Sequence, residues 1–246
     1  MPPFFRYAVL TDGELKFENG DIRVVVAPDG PAHANANVHA NKRLVVTSSE
    51  ARVAGFGYYA GDIDDRGHAN TWLPAYNPTN APVTQKVERI EVPAFTAETY
   101  AHLQTKYSND LKLSGHYTLG TRSHPEIWYV HGNVKIEGPT TLSGYGVFIV
   151  RGNVEIEDHL TTDSDAGETT VAFYSQGNIS VKSQGTSISA QLLSRGNVEI
   201  AHNATIYGSV TTTGHLDFKG DATIGYRETS CVLTEPIWPV GNCYAE

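Results

Sequence analysis

Gly132-Asn133-Val134-Lys135-Ile136 returns as Gly152-Asn153-Val154-Glu155-Ile156, Gly177-Asn178-Ile179-Ser180-Val181 and Gly196-Asn197-Val198-Glu199-Ile200, with a looser copy at Gly214-His215-Leu216-Asp217-Phe218. Successive glycines stand 20, 25, 19 and 18 residues apart. Earlier copies lie at Gly13-Glu14-Leu15-Lys16-Phe17 and across 38–46, where Lys42-Arg43 replaces Gly-Asn. Four residues before the glycines come Val9, Trp128, Phe148, Phe173, Leu192 and Val210. A fixed period of this length marks a repeat architecture. Each unit reads as a strand, a Gly-Asn corner and a second strand buried at every other residue. Gly and Asn suit a corner that needs positive φ. One unit cannot bury its apolar face alone, whereas units stacked ~4.8 Å apart share a continuous core. The expected fold is all-β: a parallel β-solenoid (β-helix) of about seven or more coils, with one short helix in an insertion.

Stacking aligns equivalent residues in columns. Asn133, Asn153, Asn178 and Asn197 are expected to form an internal ladder of amides. A second column collects Asp12, His131, Arg151, Gln176, Arg195 and Thr213, and a third Lys16, Lys135, Glu155, Ser180, Glu199 and Asp217. Both mix charges, as a solvated face does.

Residues 1–60 read as the first coils. Residues 61–112 read as an irregular insertion containing Pro74, Pro78, Pro82 and Pro93. Within it a helix is expected from Ala97 to Tyr107, with Thr96 as N-cap and Tyr100, Leu103 and Tyr107 on one face. Residues 113–228 are regular coils, and 229–246 a tail placed to cap the last coil, whose strand edges would otherwise be open. The loop 159–168 takes up the longest interval.

The net charge of −9 gives a field that repels nucleic acid and anionic membranes unless a local basic patch overrides it. No apolar run reaches the ~18 residues that span a bilayer. The start, Met1-Pro2-Pro3-Phe4-Phe5-Arg6, does not read as a signal peptide. Cys231 and Cys243 enclose a Pro-rich segment of the tail; they read as a local disulfide loop in an oxidising compartment, or else as two unpaired thiols.

Several clusters carry possible chemistry. Asp62, Asp64 and Asp65 offer paired carboxylates of the kind glycoside hydrolysis uses, or an acidic surface loop. Asp163, Asp165 and Glu168 resemble a fragment of a Ca²⁺ loop lacking its distal Glu. No other cofactor is indicated, and no histidine pair has zinc-site spacing. His131, Lys135, Arg151, Lys182 and Arg195 form a stripe that could meet the phosphates of double-stranded DNA, or a solvated face interrupted by Glu155 and Glu199.

Asn37-Val38-His39-Ala40-Asn41 and the Gly-Asn copies resemble the β-solenoid domains of bacterial and archaeal type IV pilus-associated proteins. The order of early coils, Pro-containing insertion and regular coils is similar as well. The resemblance implies an extracellular, pilus-associated, non-enzymatic module that contacts other pilus subunits, for DNA capture in natural transformation or for adhesion to a surface ligand. It implies no membrane contact from this chain, and a native N-terminal anchor that the sequence lacks. The motif is shared in part with self-assembling bactofilin-type scaffolds, and a β-helical carbohydrate-active enzyme is the other alternative.

Overall fold

The computed structural model describes residues 6–29, 35–66, 71–74, 82–92, 96–102, 105–107, 109–162, 169–182, 186–227 and Leu233. Among them 23 strands join in a single sheet, every named pairing parallel, so the chain is a parallel β-solenoid. Each coil has three faces. Face A holds strands such as Glu126–Val130, Gly146–Val150 and Val171–Ser175. After the Gly-Asn corner, face B holds short strands such as Val154–Ile156 and Ile179–Val181. Face C holds Leu160–Thr162, Ala222–Tyr226 and Ile22–Val26.

Period-two alternation turns one residue in two inward, and parallel pairing in register makes those residues columns. Val134, Val154, Ile179, Val198 and Leu216 stand in one column of face B, all essentially inaccessible to solvent. On face A, Trp128 packs edge-on against Phe148, which stacks on Phe173 with centroids 4.8 Å apart.

The order of coils in space differs from their order in the chain. The last C-terminal coil is not an end: Leu216 is in register with Leu15, Ala222 with Ile22 and Val210 with Val9. The stack therefore runs from Leu111–Thr118 through 134–226, then into the N-terminal coils, and finishes at Asp62–Asp65 and Thr84–Lys86. The tail has no end to cap there. Its one described residue, Leu233, is buried on face A, where its carbonyl accepts from the Tyr174 hydroxyl. The far end is closed by Trp72. Its indole lies on Gly57 and donates from Nε1 to Asp65 Oδ2 at 2.8 Å, and Asp65 occupies an inward column where other coils place Val46 or Ile156.

Two local expectations change. The segment expected as a helix makes one 3-10 turn, Ala97–Tyr100; Thr96 makes no side-chain cap bond, and Thr105–Tyr107 is a strand pairing with Trp128–Val130. Tyr107 lies 5.3 Å from the Trp128 ring, so sheet pairing and aromatic packing override a local helical pattern, and Leu103 falls outside the described residues. The repeat glycines Gly132, Gly152, Gly177, Gly196 and Gly214 are not among the described residues with positive φ. They are glycine because coils stack closely: a Cβ on Gly177 would stand 2.4 Å from Asn153 Oδ1.

Because the spatially last coils come first in the chain, residues 87–92 and 96–102 return along the stack. They do so over face A. Val87 N–H donates to Tyr59 O, Ile90 bonds Asn41, Arg89 pairs with Asp12, and Glu98 reaches Arg151. Beneath them lie the outward residues Leu10, Tyr129, Val147, Ile149, Tyr174 and Leu193, so face A is buried on both sides.

Candidate ligand-binding groove

The asparagines do form a ladder, but it runs along the half-exposed to exposed corner rather than inside the core. Each side-chain carbonyl accepts the backbone N–H of its equivalent one coil on: Asn153 N to Asn133 Oδ1 at 2.8 Å, Asn178 N to Asn153 Oδ1 at 2.8 Å, and Asn197 N to Asn178 Oδ1 at 2.7 Å. Asp110 starts the series by accepting from Asn133, and His215 carries it across the seam, its Nδ1 accepting from Glu14 N–H. The bonds satisfy corner donors that the strand ladders leave over.

Beside this ladder, face B is concave. A groove of about 300 Å³ is lined by Asn178, Glu155, Ser180, Lys182, Glu199 and Asp217. Glu155, Ser180, Glu199 and Asp217 are successive outward residues in register, so the groove offers polar groups at coil spacing. Ser180 Oγ lies buried on its floor with no hydrogen-bond partner among the described residues.

The stripe expected to meet DNA is divided. Arg151 Nη1 lies 3.3 Å from His131 Nδ1, but its Nε is 2.7 Å from Glu98 Oε1 of the returning segment. Lys135, on face B, is 2.9 Å from Glu157 and 3.4 Å from Glu137; the Glu157 bond raises its pKa, and Lys112 and Lys135 hold Glu137 below the usual carboxylate range. Lys182 stands at the groove edge, and Arg195 is exposed at the A/B corner, beyond Gln176. The five basic residues do not form one patch. Acidic side chains of this chain are interleaved with them.

The carboxylates 62–65 do not converge either. Asp64 faces out beside Arg43 at 3.3 Å and Arg66 at 3.8 Å, whereas Asp65 faces in toward Trp72. Asp163, Asp165 and Glu168, and Cys231 and Cys243, lie outside the described residues, and no metal-holding cluster occurs among the described ones. No described helix is long and apolar enough to cross a membrane. Sequence reading found the groove's residues in its third column. It missed their concavity, because both the apolar corner residues and the depth of the groove depend on how coils bend.

No family model and no curated protein sequence matches the chain. Among solved structures, an ice-binding protein (LeIBP) from an Arctic yeast, described for its antifreeze activity, is similar at a TM-score of 0.43 and 11% identity, over 90% of each chain.

Proposed function

We propose that this solenoid is a non-enzymatic, extracellular adhesion module of a type IV pilus, which binds a neutral, hydroxyl-rich surface ligand in the face B groove. The observation that carries this reading is the row of outward residues Glu155, Ser180, Glu199 and Asp217, in register along the floor of the groove. Carboxylates and serine at coil spacing accept from and donate to sugar hydroxyls, and the same carboxylates repel phosphate. The pilus setting rests on the sequence resemblance. Between the two roles that resemblance implies, charge favours adhesion over DNA capture, since Arg151 and Lys135 are already answered by Glu98 and Glu157.

The test measures retention on insoluble neutral polysaccharides (cellulose, chitin, β-glucan) alongside a gel shift with double-stranded DNA at low and high salt. Retention that falls at least about tenfold in Ser180→Trp, which fills the groove, supports the reading. Salt-sensitive DNA binding abolished by Arg151→Glu with Arg195→Glu, and no polysaccharide retention, overturns it in favour of DNA capture. New reducing ends in the polysaccharide fraction overturn the non-enzymatic part.

A further inference from the structure

The returning segment is held to face A by a cluster with an acid-sensitive centre. His39 is wholly buried on the outer side of that face, flanked by Leu10 and Tyr58 of the adjoining coils, with the Tyr7 ring 5.6 Å away. Its Nε2 lies 2.8 Å from Asn41 Oδ1. The Asn41 amide is fully engaged: Nδ2 donates to Asp12 Oδ1 and to Ile90 O, and Oδ1 accepts the Ile90 N–H at 2.9 Å. An oxygen can only accept, so Nε2 carries the proton and the neutral ring leaves Nδ1 bare. Nδ1 is buried without a hydrogen-bond partner among the described residues.

We propose that His39, Asn41 and Ile90 form a pH-sensitive latch, in which protonation of His39 releases segment 87–92 from face A. The incoming proton must sit on Nδ1, where no described acceptor meets it, and a buried unpaired cation is costly. The charged groups nearby do not reverse this. Asp12 is turned to Asn41 Nδ2 and to Arg89, 2.7 Å away, and Arg6 beside Tyr7 adds a positive charge. Burial raises the Tyr7 and Tyr58 phenols, which therefore stay neutral. Burial likewise holds the imidazole below its ordinary range, against the opposing bond from Asn41. The latched state thus binds fewer protons than the released one. Its stabilisation is complete above the ordinary imidazole value of about 6.5 and declines as pH falls below that toward the lower latched value. Both backbone bonds of Ile90 run through Asn41, so the two are lost together and the apolar face bearing Leu10 and Ile149 opens to solvent.

The test is amide hydrogen exchange at Ile90 in the full chain, corrected for intrinsic rates, from pH 7.5 to 5.0. Protection is expected to fall by up to about tenfold per pH unit below the ordinary value, while Val154 in the core keeps its protection. His39→Gln, which keeps an N–H donor but takes no charge, is expected to abolish the pH dependence. Ile90 protection that is unchanged down to pH 5.0, or that falls equally in His39→Gln, overturns the proposal. Should that variant fail to fold, an NMR titration of wild-type His39 decides: a value below the ordinary range, tracked by the Ile90 amide shift, supports the latch, and an ordinary value refutes it.

Discussion

Leu15 and Leu216, 201 residues apart in the chain, occupy adjacent places in one inward column of face B. Two residues further on, Phe17 stacks on Phe218 with centroids 5.4 Å apart. The seam between the N-terminal and C-terminal coils is thus packed like any other pair of coils, and it makes the two parts one cooperative unit.

Cutting either side of that seam is expected to weaken the whole molecule. Leu15→Ala should cost about 2–5 kcal/mol. Leu216→Ala should be coupled to it by about 0.5–3 kcal/mol in a double-mutant cycle, with a single urea transition in each case. Two separate transitions, one for each set of coils, would contradict the packed seam.

A second clasp crosses the same boundary. Arg227 is only 5% exposed; it donates to both oxygens of Asp29 and to Ser189, and stands over the Tyr207 ring. The Arg227 hydrogen bond holds the Asp29 carboxyl below its usual range. Asp29→Asn should cost about 1–3 kcal/mol at pH 7. The carboxylate binds fewer protons when folded, so the difference from wild type is full above the ordinary value of about 3.9 and shrinks as pH falls below it. Urea midpoints of both proteins at pH 6 and pH 3 measure this.

The corner ladder discriminates between two kinds of change. Asn178→Ala leaves the Asn197 N–H without its acceptor and should cost about 1 kcal/mol, the site being exposed. Asn178→Asp keeps the acceptor and should cost less. Gly177→Ala drives a Cβ into Asn153 and should cost about 1–3 kcal/mol. Thermal or urea unfolding should therefore rank the three variants, from least to most destabilised, as Asn178→Asp, Asn178→Ala and Gly177→Ala.

The Asp65–Trp72 contact acts against end-to-end growth. A carboxylate in a core column ends the run of apolar residues at the last coil. Asp65→Leu continues that run to an open edge and is expected to make the protein self-associate with concentration on sizing chromatography. A variant that stays as the wild type does would show that the end is closed by other means.

The solenoid was legible from Gly-Asn-apolar-x-apolar because that phrase records the corner and the inward period of every coil. Two other signals were present but unread. The continuous runs Val147-Phe148-Ile149-Val150 and Val171-Ala172-Phe173-Tyr174 lack alternation, as strands buried on both sides do, and announce the covering of face A. Two residues before the glycines, Thr11, Ser175, Ser194 and Thr212 each donate a hydroxyl hydrogen bond to the carbonyl of a glycine one coil back, which explains a recurrent Ser or Thr facing the core. Coil order was not legible. Leu15 fits after Leu216 as well as before Val134, since one column accepts any branched apolar residue, and only the summed register of three faces selects the seam. The groove was half legible: its residues form one column, but Ser180 is distinguished only by the depth at which its hydroxyl sits.

The order of coils supports every placement above, from the cap at Trp72 to the latch at His39, and disulfide trapping tests it most directly. Lys16 and Asp217 are in-register neighbours on face B, with Cα atoms a coil spacing of ~4.8 Å apart, within disulfide range. Lys16→Cys with Asp217→Cys is expected to oxidise readily to an intramolecular link identified by peptide mass, whereas Lys16→Cys with Lys112→Cys, the latter several coils away where the stack begins, is expected not to link. Failure of the first pair, or efficient linkage of the second, would contradict the arrangement of N-terminal coils after C-terminal ones.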